Sequence, residues 1–247
     1  MNLLIDIGNT HTDMALATPR RISRTVRFST DDWYSKKYAG HIAGITDKTQ
    51  VQQTLCSSVV PSATQIAKTS FTGSGLRFDL LTCSNCGLKI DYPRPKTIGA
   101  DRLANAIGAI EEFGAPVIVI DFGTAVTFDV INNKGAYVGG IITPGLSAMT
   151  DYLHEKTALL PQIELRSPRR LIGKSTEEAM QIGAIHGYRG MIQGLLKQIC
   201  ESLKSTSIPA VATGGCAKLV CRNAPEFTAI RPRLTLSGLR LASNRIN

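Results

Sequence analysis

Two short segments, half a chain length apart, repeat one chemical pattern. They are Leu3-Leu4-Ile5-Asp6-Ile7-Gly8-Asn9-Thr10-His11-Thr12 and Val119-Ile120-Asp121-Phe122-Gly123-Thr124-Ala125-Val126-Thr127. In each, a β-branched apolar run delivers an aspartate to the end of a strand, a glycine permits a tight turn, and hydroxyl side chains follow. A carboxylate beside such a turn can hold a cation directly or through water, and hydroxyls and amides can bind phosphate oxygens. The pair predicts a nucleotide held between two related halves, with Asp6, Asn9, Thr10, Thr12, Asp121, Thr124 and Thr127 as the polar groups nearest its phosphates.

A third segment supplies what the turns lack. Gly99-Ala100-Asp101-Arg102 puts a carboxylate at a helix entrance with a guanidinium beside it, after the Pro-rich run Asp91-Tyr92-Pro93-Arg94-Pro95-Lys96. Asp101 could merely cap that helix. It could also accept a proton from an attacking hydroxyl while Arg102 pairs with a substrate carboxylate. Phosphoryl transfer needs charge neutralisation, an oriented nucleophile and a proton acceptor, and the three segments together offer all of them.

Other motifs drop out. Ile172-Gly173-Lys174-Ser175-Thr176 resembles the end of a P-loop, but the position of its first glycine is Pro168, which offers no amide to a phosphate cradle. Gly73-Ser74-Gly75 lacks the third glycine of a dinucleotide fingerprint. Cys83 and Cys86 form half of a zinc signature that Cys216 and Cys221 could complete only if the fold united them. His11, His41, His154 and His186 have no common metal spacing, and His11 lies inside the first turn.

These groups need elements to carry them. Residues 3 to 28 read as a three-stranded meander, followed by a polar helical stretch around Trp33, a strand at Leu55-Cys56-Ser57-Ser58-Val59-Val60-Pro61 and a helix over 62–70. Leu103, Ala106, Ile107 and Ile110 fall at helical spacing and predict a helix with one buried stripe. Gly114-Ala115-Pro116 breaks the chain. Strands at 117–121, 125–131 and 136–142, a turn at Thr143-Pro144-Gly145, helices at 147–155 and 176–203 and the strand 210–213 then repeat the earlier order. The expectation is an α/β protein of two duplicated domains, 1–115 and 116–247, with a nucleotide cleft between them.

Composition agrees. A chain 43% hydrophobic but only 6% aromatic builds its core from aliphatic residues, as covered α/β sheets do. The formal charge of +9 favours anionic ligands. Its arginines, such as Arg20, Arg21, Arg24 and Arg27, are not interleaved with stacking aromatics, so no nucleic-acid partner is expected. No apolar run approaches the ~18 residues that span a membrane. The first apolar run, interrupted by Asp6, reads as a strand and not as a leader, and the six cysteines read as reduced thiols, so a cytoplasmic protein is expected.

The ordered set of motifs resembles the type III pantothenate kinases, relatives of actin, sugar kinases and heat-shock ATPases. It comprises both aspartate turns, Ser57-Ser58-Val59-Val60-Pro61, Gly99-Ala100-Asp101-Arg102, Gly139-Gly140-Ile141-Ile142-Thr143-Pro144-Gly145, Thr213-Gly214-Gly215 and Leu234-Thr235-Leu236-Ser237-Gly238-Leu239. The resemblance implies two ribonuclease H-like, actin-like ATPase domains. It implies ATP-dependent phosphorylation of pantothenate to 4'-phosphopantothenate, the first step of coenzyme A synthesis. It further implies that Asp6, Ile7, Gly8, Asn9, Thr10, His11, Thr12 and Asp13 form the first ATP loop, that Thr124 contacts ATP, and that Asp101 is the general base. Tyr92, Gly99, Ala100, Asp101, Arg102 and Thr176 would line the pantothenate pocket. Asp121 would bind potassium or ammonium, magnesium would accompany ATP near Asp6, and the protein would be a homodimer. Two departures stand out: His11 where a smaller residue is usual, and Arg233 where an acidic one is common. Two other readings use the same parts, a non-catalytic nucleotide-binding regulator and a kinase of another hydroxylated substrate.

Overall fold

A computed structural model describes residues 1–47, 49–222 and 224–246. The chain divides into two compact units, one of Met1–Ala115, Asn133–Val138 and Arg233–Asn247, the other of Pro116–Asn132 and Gly139–Pro232.

Unit 1 opens with the meander β1 (Asn2–Ile7), β2 (His11–Ala17) and β3 (Ile22–Ser29). Helix α1 (Tyr38–Thr46), strand β4 (Gln53–Ser58), helix α2 (Pro61–Gly73) and strand β5 (Arg77–Leu80) follow. The sheet order is β3-β2-β1-β4-β5; the meander is antiparallel, and β4 lies parallel to both β1 and β5. Alternation along the strands sorts side chains to two covered faces. Leu3, Ile5, Ile7, Met14, Leu16 and Cys56 pack with Trp33, Ala63, Ala67 and Phe71 on one face. Leu4, Ala15, Ala17 and Leu55 pack on the other against α3 (Ala100–Phe113) and the carboxyl-terminal helix α8 (Leu234–Ser243).

Helix α3 is buried more widely than the single stripe predicted, with every residue from Leu103 to Ala109 inside. The reason is α8, which covers the flank that the sheet leaves open. Their backbones meet at two glycines. A Cβ on Gly108 would lie 2.9 Å from the Leu234 carbonyl oxygen, and one on Gly238 would overlap the Ala104 carbonyl. Gln53 Nε2 donates to the Ser243 carbonyl (2.9 Å), and Thr235 Oγ1 donates to Asn105 Oδ1 (2.8 Å). These contacts explain why the contiguous division into 1–115 and 116–247 differs from the packing. The break at 115/116 coincides, but α8 and residues 133–138 group with unit 1.

In unit 2, β7 (Val117–Phe122), β8 (Ala125–Ile131), β9 (Ala136–Pro144), β10 (Ala210–Thr213) and β11 (Ala229–Ile230) lie in the order β11-β10-β7-β8-β9. The short strand β6 (Lys89–Ile90) pairs with the opening residues of β9, Ala136 and Tyr137, which belong to unit 1. Strands β1-β2-β3-β4-β5 and β7-β8-β9-β10-β11 thus share one order, as duplication predicts. Helix α4 (Leu146–Lys156) leads to residues 157–175, which form no helix or strand. The single helix expected over 176–203 is α5 (Thr176–Ile182), a π-helical turn at Gly183–Gly187 and α6 (Tyr188–Ser202). Helix α7 (Ala217–Val220) follows β10.

Candidate active site

The first aspartate turn is built by the register of β1 and β2. Asp6 stands opposite Asp13 and Ile7 opposite Thr12, leaving Gly8, Asn9 and Thr10 as the turn. Directly opposed residues share a face. Asp6 and Asp13 therefore lie on the face that carries α3, and Ile7 and Thr12 on the opposite one. Ile7 and Thr12 are fully buried. Both were expected to touch ATP, yet their side chains belong to the core, which leaves only their main chain for a ligand. Asn9, Thr10 and His11 are exposed at the turn.

What holds this turn is a buried hydrogen-bond relay that sequence reasoning missed. The Trp33 indole Nε1 donates to Thr12 Oγ1 (3.0 Å), the hydroxyls of Thr12 and Thr30 are 3.2 Å apart, and Thr30 Oγ1 donates to the Gly8 carbonyl (2.7 Å). Because the Thr30 proton is committed to Gly8, Thr12 must donate to Thr30, and one donor order satisfies the chain. The Thr30 amide also donates to the Thr10 carbonyl (3.0 Å), and the Gly8 amide to the His11 carbonyl (3.0 Å). Trp33 is the only tryptophan, and its meeting with a 3₁₀ turn at Thr30–Trp33 is the one signal that could have pointed here.

Asp13 is already engaged. Arg27 reaches it bidentately, Nε to Oδ1 and Nη2 to Oδ2 at 2.8 Å each, and so offsets its charge beside the turn. On the other side of Asp6, Ser57 of β4 is the paired residue, and its buried Oγ has no hydrogen-bond partner. An orphaned hydroxyl beside a carboxylate is a hard-oxygen donor set, which fits magnesium held mainly by water and phosphate with one protein carboxylate.

The second turn follows the same Asp-x-Gly-x-x-x-Thr pattern but is one residue shorter, Gly123 and Thr124 only, with Asp121 opposite Thr127 and Phe122 opposite Val126. Thr127 thus occupies the place of Asp13, while the place of Thr12 is taken by the core residue Val126. Gly123 and Thr124 are exposed. Gly214, at φ 89°, brings its backbone against Asp121, where a Cβ would sit 2.5 Å from Oδ1. A carboxylate in a cradle that only glycine leaves open fits a hard monovalent cation.

Asp101 sits in the first turn of α3, two residues past the N-cap Gly99, so it is not itself the cap. Its Oδ1 accepts the Arg102 amide (2.8 Å). Burial raises its carboxyl above the ordinary range, while the Arg102 amide and charge pull it down by less. A side chain on Gly99 would overlap the Asp101 carboxylate and lie 3.4 Å from Val59 Cγ1, so this glycine makes the space that Asp101 occupies. Arg102 stands over the Tyr137 ring, Cζ 5.9 Å from its centroid, and exposed Tyr92 meets that ring edge-on at 6.4 Å. Tyr92, Gly99, Ala100, Asp101 and Arg102 are thus gathered in unit 1. Thr176 lies in unit 2, exposed, as the first residue of α5. The N-cap Ser175 Oγ accepts the Glu178 amide (3.2 Å) and Glu178 Oε2 accepts the Lys174 amide (2.7 Å). Lys174-Ser175 is therefore a helix cap and not a phosphate loop.

The remaining candidates stay apart. Cys83 and Cys86 belong to unit 1 and Cys216 and Cys221 to unit 2, and no group of three or more His, Cys, Asp or Glu is arranged for a metal among the described residues. Burial raises the Cys86 and Cys216 thiols and pushes Cys221 up to about 12, which disfavours the thiolate that zinc needs. A cavity of about 490 Å³ in unit 2, lined by Cys221, Ala224, Pro225, Phe227, Ala229 and Ile230, contains none of the predicted site residues.

Comparison with known proteins gives the same direction. The chain is 50% identical over 188 residues, 76% of its length and 68% of the relative's, to a type III pantothenate kinase of Methylacidiphilum infernorum. It is 42% identical to one of Akkermansia muciniphila, covering 98% of this chain and 97% of that one. Among solved structures it resembles a putative 2-dehydro-3-deoxygalactonokinase from Sinorhizobium meliloti, with TM-score 0.64, 14% identity and coverage of 100% and 99%. It also resembles a conserved putative Baf family transcriptional activator from Campylobacter jejuni, with TM-score 0.65, 17% identity and coverage of 98% and 97%. These likenesses concern the fold alone, which this chain shares with both structures over nearly its whole length. With a family model described as type III pantothenate kinase matching residues 2–198, the chain belongs to the type III pantothenate kinase family.

Proposed function

We propose that the protein transfers the γ-phosphoryl group of ATP to the terminal hydroxyl of pantothenate, giving 4'-phosphopantothenate and ADP, with Asp101 as general base. The observation that carries this reading is Asp101 itself. A carboxylate whose proton affinity is raised by burial, set beside a guanidinium and on the sheet face that also bears Asp6, is suited to take a hydroxyl proton. In the step, the hydroxyl oxygen bonds to the γ-phosphorus, its proton passes to Asp101, and the bond between that phosphorus and the β–γ bridging oxygen breaks.

Arg102 pairs with the pantothenate carboxylate, and Tyr92, Gly99 and Ala100, gathered with it in unit 1, line the pocket. The amides and hydroxyls of the turn at Gly8–Thr10 receive ATP phosphates. Magnesium, near Asp6, would supply charge neutralisation on the triphosphate, and potassium or ammonium at Asp121 would add to it. The test is ADP release that requires both pantothenate and one of these monovalent cations. ATP binding without phosphopantothenate formation would instead identify a regulator, and turnover confined to a different acceptor would identify another kinase.

We also infer that the protein is a homodimer. Unit 2 exposes Met149, Tyr152 (62%) and Leu153 on α4 and Leu159 (90%), Leu171 (69%) and Ile172 (74%) in the segment after it, an apolar content that a second copy would cover. Sedimentation should give twice the mass of the chain. No helix among the described residues is long and apolar enough to cross a membrane, and six free thiols suit the reducing cytoplasm, where we place the enzyme.

A further inference from the structure

Arg102 and Tyr92 lie on separate pieces of unit 1, the start of α3 and the loop after β6, yet both end on one residue. Tyr137 is 1% exposed, and its ring lies beneath the Arg102 guanidinium, 5.9 Å from Cζ to the centroid. The Tyr92 ring meets the same ring at 6.4 Å and 85°. The main chain repeats the connection. Ile90 pairs with Tyr137 in the parallel β6/β9 contact, and the Asp91 amide donates to the Tyr137 carbonyl at 2.9 Å, directly before Tyr92.

We propose that Tyr137 is the positioning residue that makes Arg102 and Tyr92 one rigid recognition unit for the substrate carboxylate, and thereby sets specificity for a carboxylate-bearing acceptor. An arginine carries a long flexible stem, and its charge must be aimed to recognise a carboxylate. A buried aromatic face attracts the guanidinium and fixes its plane, while the edge-on contact fixes Tyr92 relative to it. This rests on the pantothenate reading given above.

Steady-state kinetics of the full chain with pantothenate, and with its alcohol analogue in which the carboxylate is replaced by a hydroxymethyl group, test the proposal. Tyr137→Leu removes the ring face, and KM for pantothenate should rise ~10-fold while KM for ATP stays within twofold. KM for the alcohol analogue should not change, because Arg102 has no carboxylate to receive there. Tyr137→Phe keeps the face and should retain the pantothenate KM within twofold. If Tyr137→Leu does not fold, Tyr137→Met, unbranched and adaptable, replaces it with the same expectation. An unchanged pantothenate KM in the ring-less variant, or an equal rise for both acceptors, overturns the role of Tyr137 while leaving the kinase reading intact. Absence of pantothenate turnover by the unaltered chain overturns both.

Discussion

Replacing Thr30 with valine probes how the first aspartate turn is held. Thr30 is 2% exposed, and valine matches its shape while exchanging the hydroxyl for a methyl. The exchange removes the bond to the Gly8 carbonyl and leaves the buried Thr12 hydroxyl without its acceptor. Stranding a buried hydroxyl and losing one bond together cost roughly 1–3 kcal/mol. For a chain of this size each kcal/mol lowers the melting temperature by roughly 2–4 °C, so a fall of about 2–12 °C is expected. The Thr30 amide bond to the Thr10 carbonyl survives, so the turn loosens without unravelling. If about 1 kcal/mol of the cost is felt at the nucleotide, KM for ATP rises ~5-fold with KM for pantothenate unchanged. Thermal melting, steady-state kinetics and the fluorescence of the single tryptophan, Trp33, measured with and without ATP, read all three consequences. Thr30→Ser should restore them. An unaltered ATP KM together with an unaltered melting point would show that the relay does not support the turn.

Asp101→Asn should lower kcat ~10²-fold or more while nucleotide binding persists, which equilibrium ATP titration would show. Burial raises the folded-state pKa of Asp101, so its contribution to stability is present at low pH and is lost as pH rises through that folded value. The Asn variant should therefore be no less stable than the parent at pH 7, and the activity of the parent should fall on acidification at a pH above the ordinary aspartate pKa of about 3.9. A variant that loses activity because it melts earlier would contradict this. Asp121→Asn should abolish stimulation by potassium or ammonium in an assay that varies the cation alone, and retained stimulation would move the cation elsewhere. Gly238→Ala forces a methyl onto the Ala104 carbonyl and should destabilise the chain by roughly 1–3 kcal/mol in denaturant titration.

Much of the site was legible because it is made of local chemistry. An aspartate after an apolar run and before a glycine must end a strand at a tight turn, wherever that strand lies. A carboxylate just past Gly99 must enter a helix that hydrophobic spacing already reveals. Tyr137 was not legible, since nothing in Ala136-Tyr137-Val138 distinguishes an aromatic floor from an ordinary strand residue. Its partners come from the β6 loop and from α3, and only folding unites them. The Trp33–Thr12–Thr30 relay was hidden for the same reason, because the sequence context of Thr12 says nothing of which face its side chain takes.

The paired aspartate turns show where the division falls. The sequence by itself determined that there are two of them, that each ends a strand, and that the halves bearing them share one order of elements. Only the tertiary structure decided that they are not copies in detail. Side chains alternate with a period of two, so one extra turn residue changes which residue stands beside each aspartate. Asp6 therefore faces Asp13 and Ser57, whereas Asp121 faces Thr127 and the Gly214 backbone. Tertiary packing likewise returned α8 to unit 1, because two glycines let its backbone close on α3 in a way that no local pattern records.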